Sequence, residues 1–322
     1  MALSTPLHIV SGKGGTGKTT VAAALATALA DAGKRVLLCE VEGRQGIAQL
    51  FDVAPLPYEE RKIAVGLGGG EVFALAVDAE SALLEYLQMY YRLGRAGKAL
   101  DRFGIIDFAT TIAPGVRDVL LTGKIYEAAK RKKGDRFVYD AVVMDAPPTG
   151  RITRFLGVNE EVAGLAKVGP VKRQADSIMS MMRSRGTHVH LVTLLEEMPV
   201  QETLDGIADL KTASLPVGAV IANMVRPALL SERTQKDVAS GTLTAGDVSA
   251  ALDVIGLDGS VAPTLVEEGK GHIERQQLQD AQREALGTRE VVELPTLPDV
   301  IDQGTLFDLA RILRAELLQE AS

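Results

Sequence analysis

Eight consecutive residues, Gly12, Lys13, Gly14, Gly15, Thr16, Gly17, Lys18 and Thr19, constrain this chain more than any other feature. They satisfy the pattern G-x-x-x-x-G-K-[ST], between an apolar run at 7–10 and an alanine-rich stretch that begins near Thr19. A strand, a glycine loop and a helix in that order form an anion cradle. Glycines let backbone N–H groups turn inward, and the helix N terminus adds the positive end of its dipole. In such a loop Lys18 reaches the β- and γ-phosphates and Thr19 holds a magnesium ion. Residues Gly12 to Thr20 are therefore the first candidates for nucleotide binding, and ATP with Mg²⁺ is the expected ligand pair.

The rest of the chain fits that start. Continuous Val/Ile/Leu/Ala runs at 7–10, 36–41, 72–77, 141–145, 188–193, 217–223 and 291–294 read as strands. Continuous rather than alternating apolarity is what a parallel strand covered on both faces requires. A helix is expected at 19–32, with Val21, Leu25 and Leu29 on one face and Gly33 placed to end it. The pattern predicts an α/β fold with a mainly parallel central sheet of seven or eight strands, flanked by helices. Helical periodicity also fills 80–133, broken near Gly94 and Gly97 and at Pro114, and returns at 160–183. These stretches predict a helical insertion, at 80–135 and 160–186, within one domain spanning 1–322. The segment 226–271 is polar and weakly patterned and suggests no element.

Composition removes several classes of function. Against 35 Lys and Arg stand 42 Asp and Glu, a formal charge of −7, so the chain lacks the basic excess of a nucleic-acid binder. One cysteine, Cys39, excludes a disulfide framework and a four-Cys cluster within one chain. The N terminus has no signal-peptide pattern, and the longest alanine-rich run, 21–30, ends at Asp31, short of the roughly 18 residues that span a bilayer. A cytoplasmic protein without stable membrane insertion is expected.

The run YDAVVMD places Asp145 at the carboxyl end of a strand, where open α/β sheets bind ligands. A carboxylate there suits a magnesium shell, reached through water. Lys13, directly after the first glycine, resembles the deviant form of the phosphate loop in the MinD, ParA, nitrogenase-iron-protein and ArsA class. The sequence DAPPTGRITRFL resembles the second switch of the arsenite-pump and tail-anchored-protein-targeting ATPases. LLEEMPVQETL and APGVRDVLLTGKIYEAA resemble further blocks of that family, and the resemblance runs from residue 8 to about 310. Its bacterial, particularly actinobacterial, branch is the best match.

The resemblance implies a P-loop ATPase working as a nucleotide-sandwich dimer, with itself or with a paralogous subunit, and with a hydrophobic client or partner protein. Lys13 would cross to the partner's nucleotide, in the manner of an arginine finger. Glu196 would sit at a nucleotide-contacting acidic position, and Pro148, Thr149 and Gly150 in the second switch. Asn223 would read adenine, with Pro295 in a base-contacting loop. From the residues alone, Asn223 also suits a strand-ending turn, and Glu196 beside Glu197 an acidic surface.

The chain departs from the family at the first switch, where an aspartate before proline normally orients the attacking water. Here the corresponding residues are Glu42 and Gly43, one methylene longer and without the stiff ring. Slow hydrolysis with intact nucleotide binding is expected, since a misplacement near 1 Å can cost on the order of 10²-fold. The C-x-x-C zinc pair of eukaryotic relatives is missing, and lone Cys39 serves neither an iron–sulfur cluster nor a metalloid. Arsenite transport and electron transfer are set aside.

Met179, Met181 and Met182, and Met89 among Tyr86, Tyr90 and Tyr91, suit either core packing or a groove for apolar helices. His188 and His190 share a strand face but show no third zinc ligand. A C-terminal helix at 306–318 carries both charge signs on its polar face and reads as core packing. Two rivals to the dimeric ATPase remain. One is a regulatory subunit that binds nucleotide and scarcely hydrolyses it. The other is a ParA/MinD-like positioning ATPase, disfavoured by the acidic charge.

Overall fold

The computed structural model describes residues 5–91, 114–165, 170–287, 289–297 and 301–317. Its centre is an eight-stranded sheet built from β1 (Leu7–Gly12), β2 (Arg35–Glu40), β3 (Arg61–Val65), β4 (Glu71–Ala76), β7 (Ala141–Asp145), β8 (Thr187–Thr193), β9 (Val217–Val225) and β10 (Val291–Pro295). A separate short hairpin is formed by β5 (Lys132–Lys133) and β6 (Arg136–Phe137). The strand order is β10-β9-β8-β1-β7-β2-β4-β3, and only the β3–β4 pairing is antiparallel. All seven expected strands are present, their ends shifted by at most two residues.

The eight strands fall within the expected seven or eight, but β3 is not among the runs read as strands. β3 is an edge strand whose five residues are exposed or half-buried, so it lacks the apolar run that marks its neighbours. It turns back onto β4 through Gly66–Leu67–Gly68–Gly69–Gly70, packed so closely on the end of the first helix that a Cβ on Gly68 would stand 2.1 Å from the Asp31 carbonyl oxygen.

Helices cover both faces. On one lie α1 (Lys18–Asp31) and α2 (Gly46–Leu50) with the C-terminal α11 (Gln303–Leu317). On the other pack α4 (Pro114–Lys130), α5 (Thr149–Leu165), α6 (Pro170–Met182) and α7 (Glu197–Thr212), with α3 (Ala79–Tyr91) against α4. α1 is wedged between the sheet and α11, and its Val21, Leu25 and Leu29 are fully buried. Each such side chain contributes roughly 1.5–3 kcal/mol, so the helix behind the glycine loop is held firmly.

The segment with no expected structure, 226–271, forms α8 (Glu232–Ala239), α9 (Ala245–Val254), a short 3₁₀ turn and the first part of α10 (Ala262–Leu286). These helices leave much of their apolar surface exposed, including Val254, Ile255 and Leu257, which blurs the periodicity. The stretch expected to be wholly helical up to 135 contains the start of the β5–β6 hairpin instead. The expected break near Gly94 and Gly97, and Leu318 at the end of the last helix, lie outside the described residues. So do the side chains of Tyr86, Met89, Tyr90 and Tyr91. Met179, Met181 and Met182 are buried, as core packing requires. Among the described residues no helix is long and apolar enough to cross a membrane. Cys39 is fully buried on β2 and its thiol is pushed upward by burial.

Candidate functional site

The glycine loop leaves β1 at the centre of the sheet, where its carboxyl end meets those of β7 and β8. Two glycines are required there. A Cβ on Gly12 would stand 2.2 Å from the Val192 carbonyl oxygen of β8. Gly17 has φ +84°, and its Cβ would come within 2.4 Å of Asn223 Nδ2. Gly14 and Gly15 are exposed, Gly15 also at positive φ, so the loop offers backbone to solvent. No side chain caps the N terminus of α1, which leaves its first N–H groups directed into the loop. Thr20 is half-buried in the first turn.

The loop is braced from several sides. Thr16 Oγ1 donates to the Lys13 carbonyl at 2.9 Å, and Lys18 Nζ reaches the same carbonyl at 3.3 Å. Asn223 Nδ2 donates to the Thr16 carbonyl at 2.9 Å from a buried position on β9. Ser11 Oγ donates to the Pro147 carbonyl at 2.6 Å, tying β1 to the loop after β7. Lys13 itself is paired within the chain, with Glu202 of α7 at 2.7 Å.

Asp145 ends β7 in register between Val10 of β1 and Glu40 of β2. Thr19 Oγ1 donates to its Oδ2 at 2.7 Å. Burial raises the Asp145 carboxyl to about 6, against the opposing pull of the Thr19 hydroxyl and Lys18; the negative charges of Glu40 and Glu42 add to the rise. Burial lowers the Lys18 ammonium, partly offset by Asp145 and Glu42. Glu42 thus lies within electrostatic reach of both groups, half-buried, with Arg44 3.5 Å away.

The donor set fits a hard divalent cation: a buried carboxylate, a hydroxyl already turned toward it, and the exposed backbone of a glycine loop. The Thr149 hydroxyl, at the start of α5, is buried with no hydrogen-bond partner. Pro148 is half-buried and Gly150 exposed.

Pro295 is exposed at the end of β10 and pairs with Val225, while Thr296 Oγ1 donates to the Met224 carbonyl at 2.7 Å. Met224 is half-exposed at φ +55°, with Cε 3.6 Å from the position of a Gly17 Cβ. Asn223, Met224 and the β10 end therefore form one wall beside the loop. Glu196 is exposed in extended backbone just before α7. The acidic residue of this block that touches the glycine loop is Glu202.

Sequence reasoning missed Glu202, Ser11, Met224 and Glu40. Glu40 is 2% exposed, and its two oxygens accept from Gln45 N at 2.5 Å and Ile47 N at 3.2 Å. It also missed that His8 of β1 joins His188 and His190. The three rings stack across two strands, with His8 Nδ1 and His190 Nε2 3.1 Å apart. No group of His, Cys, Asp and Glu among the described residues has metal-site geometry.

Farther from the sheet, a cavity of about 770 Å³ opens between α3, α4, α5 and α6, with Leu83, Val119, Leu120, Tyr126 and Ile178 on its walls. α5 links it to the nucleotide side. The helix starts at Thr149, and farther along Asn159 Nδ2 donates to Thr122 Oγ1 of α4 at 2.8 Å.

The family profile described as anion-transporting ATPase matches residues 6–186. ATPase BagA of Mycobacterium tuberculosis is 51% identical over 313 residues, covering 95% of this chain and 92% of its own. The arsenical pump-driving ATPase of Escherichia coli is 29% identical over 242 residues, covering 72% of this chain and 38% of its own.

Proposed function

This chain belongs to the anion-transporting ATPase family, and on that premise we propose that it binds ATP with magnesium and hydrolyses it slowly, as a nucleotide-sandwich dimer with itself or a paralogous subunit. The observation that carries the reading is the Thr19–Asp145 contact beneath a glycine loop whose backbone faces solvent. Thr19 directly and Asp145 through water would hold Mg²⁺, which supplies charge neutralisation on the phosphates.

Each remaining role follows from position. The N–H groups of Gly14 to Thr19 and the α1 terminus cradle phosphate, and Lys18 swings from the Lys13 carbonyl to the γ-phosphate. Asn223 spends one amide hydrogen on the loop; its second hydrogen and its carbonyl oxygen suit an adenine edge, against Met224 and Pro295. Glu196, exposed just before α7, would supply the acidic nucleotide contact that the family resemblance implies. Glu42 orients the attacking water. Its neighbour Gly43 has φ +68°, which the proline usual in the family cannot adopt, so this loop follows a different path. That difference supports slow turnover, and it also favours the second reading, a regulatory subunit that binds nucleotide and leaves hydrolysis to a paralogue.

Coupling to a hydrophobic client or partner is supported by α5, which begins in the second switch and borders the apolar cavity. A partner is driven by nucleotide only if it binds the two states with different affinity. Steady-state hydrolysis by the purified protein, with Lys18→Ala as blank and light scattering for mass, tests the proposal. Turnover above the blank with an ATP-dependent dimer supports it. Tight ATP binding at blank-level turnover selects the regulatory subunit.

A further inference from the structure

We propose that Glu40 is a positioning residue for hydrolysis: its buried carboxylate anchors the loop that carries Glu42. The inference rests on the reading of Glu42 as the water-orienting group. A carboxylate this deeply buried is costly unless its oxygens are satisfied. Both are, and both by backbone N–H groups of the same short segment, Gln45 at 2.5 Å and Ile47 at 3.2 Å. The chain therefore leaves β2 at Glu40 and is pulled back to Glu40 five residues later.

The far end of that loop is clamped independently. The Gln45 side chain accepts from Leu56 N at 2.7 Å and donates to the Leu56 carbonyl at 3.1 Å, while its own backbone sits at φ +57°. The next residue, Gly46, rests on the phosphate-loop threonine: a Cβ there would stand 3.1 Å from Thr19 Cγ2. Between the anchors lie Val41, Glu42, Gly43 and Arg44, and the ion pair of Glu42 is with Arg44, inside the same loop. Glu42 takes its place over Lys18 and Asp145 from the residues that hold the loop, and Glu40 is the buried one. Position here matters more than charge, because orienting water is a geometric task.

The test uses Glu40→Gln, which keeps shape and one acceptor, and Gln45→Ala, which releases the other clamp without touching a charge. Three quantities are read for each: Kd for a fluorescent ATP analogue with Mg²⁺, the single-turnover hydrolysis rate, and amide exchange at Gln45 and Ile47. Glu40→Gln is expected to slow the chemical step about 10²-fold with Kd changed less than threefold, and to weaken protection at the two amides, which then share one acceptor oxygen. Gln45→Ala is expected to slow it about tenfold, again at near-constant Kd. An unchanged rate in Glu40→Gln with the amides deprotected overturns the proposal, as does a parallel collapse of Kd and rate in both variants. If the wild type hydrolyses no faster than Lys18→Ala, the ATPase reading fails separately. Amide exchange with nucleotide bound then decides the anchor: equal protection in wild type and Glu40→Gln rejects it, and selective loss retains it.

Discussion

Lys13 Nζ stands 2.7 Å from a Glu202 carboxylate oxygen, so the extra lysine of the glycine loop is neutralised within its own chain. For that lysine to reach a nucleotide held by a second subunit, the pair must open. Both side chains are about one-third exposed, which makes the pair weak enough to do so. Glu202→Gln is expected to lower the ATP concentration at half-association by a factor between about 1.4 and 5, in line with the roughly 0.2–1 kcal/mol of an exposed pair. Sedimentation velocity across an ATP titration measures it. Weaker association in the variant would mean that Glu202 grips the partner instead of holding Lys13 back.

Glu42→Asp is expected to raise turnover, by a factor between a few and about 10², with ATP affinity unchanged. The shorter side chain restores the length usual in the family at an otherwise intact site. Single-turnover kinetics with the Lys18→Ala blank provide the measurement, and a wild type as fast as the variant would remove chain length as the cause of slow hydrolysis.

Asp145 carries a pH signature. Its carboxyl sits at about 6 in the free protein, so its charge, and with it Mg²⁺ affinity, is expected to fall about tenfold per pH unit below that value. The sign for stability is opposite. A folded-state value above the unfolded one means that ionised Asp145 destabilises the free protein at pH 7, and that this cost disappears as pH falls from about 6 toward 4. Asp145→Asn is therefore expected to stabilise the nucleotide-free protein at pH 7 by about 3 kcal/mol while abolishing Mg²⁺-dependent hydrolysis. Thermal unfolding at pH 7 and pH 5 checks this, and a variant less stable at pH 7 would contradict it.

The histidine stack predicts acid sensitivity. Burial lowers all three rings, His190 to about 4; neighbouring rings lower His8 and His190 further, while Glu290 partly offsets the fall at His188. The unfolded chain, with ordinary histidines near 6.5, binds more protons in the window between them. The stack's contribution to stability should thus be complete above about pH 7 and decline from pH 6.5 to 4, by about 1 kcal/mol per pH unit for His190 alone, opposing the gain from Asp145 over the same range. His190→Gln is expected to flatten that slope in urea unfolding across the window; an unchanged slope would place the acid sensitivity elsewhere.

The sequence made some of this legible and hid the rest for identifiable reasons. The loop Gly12 to Thr19 between strand and helix, and Asp145 at a strand end, could be placed because the motif fixes residue type and spacing locally, and the seven covered strands because burial on both faces leaves continuous apolar runs. β3 escaped because an exposed edge needs no such run. Glu40 belongs to no motif in CEVEGR and is not singled out there; only the fold shows it buried with backbone partners. His8 and His190 are 182 residues apart, and no local pattern announces that β1 lies beside β8. The α8–α10 region was illegible because its helices expose apolar and polar residues alike.

In the proposed coupling, the helix that joins Thr149 to Asn159 would act as a mechanical arm. Ten residues at about 1.5 Å each make it about 15 Å long, so a rotation of about 4° at its switch end displaces its far end by about 1 Å. Asn159 is hydrogen-bonded to Thr122 on a neighbouring helix that lines the cavity, so that displacement is transmitted sideways. One ångström is enough to exchange one packing of buried side chains for another, because close-packed interfaces snap between arrangements rather than stretch. On that proposal, the gearing between switch and cavity would be set by the length of one helix.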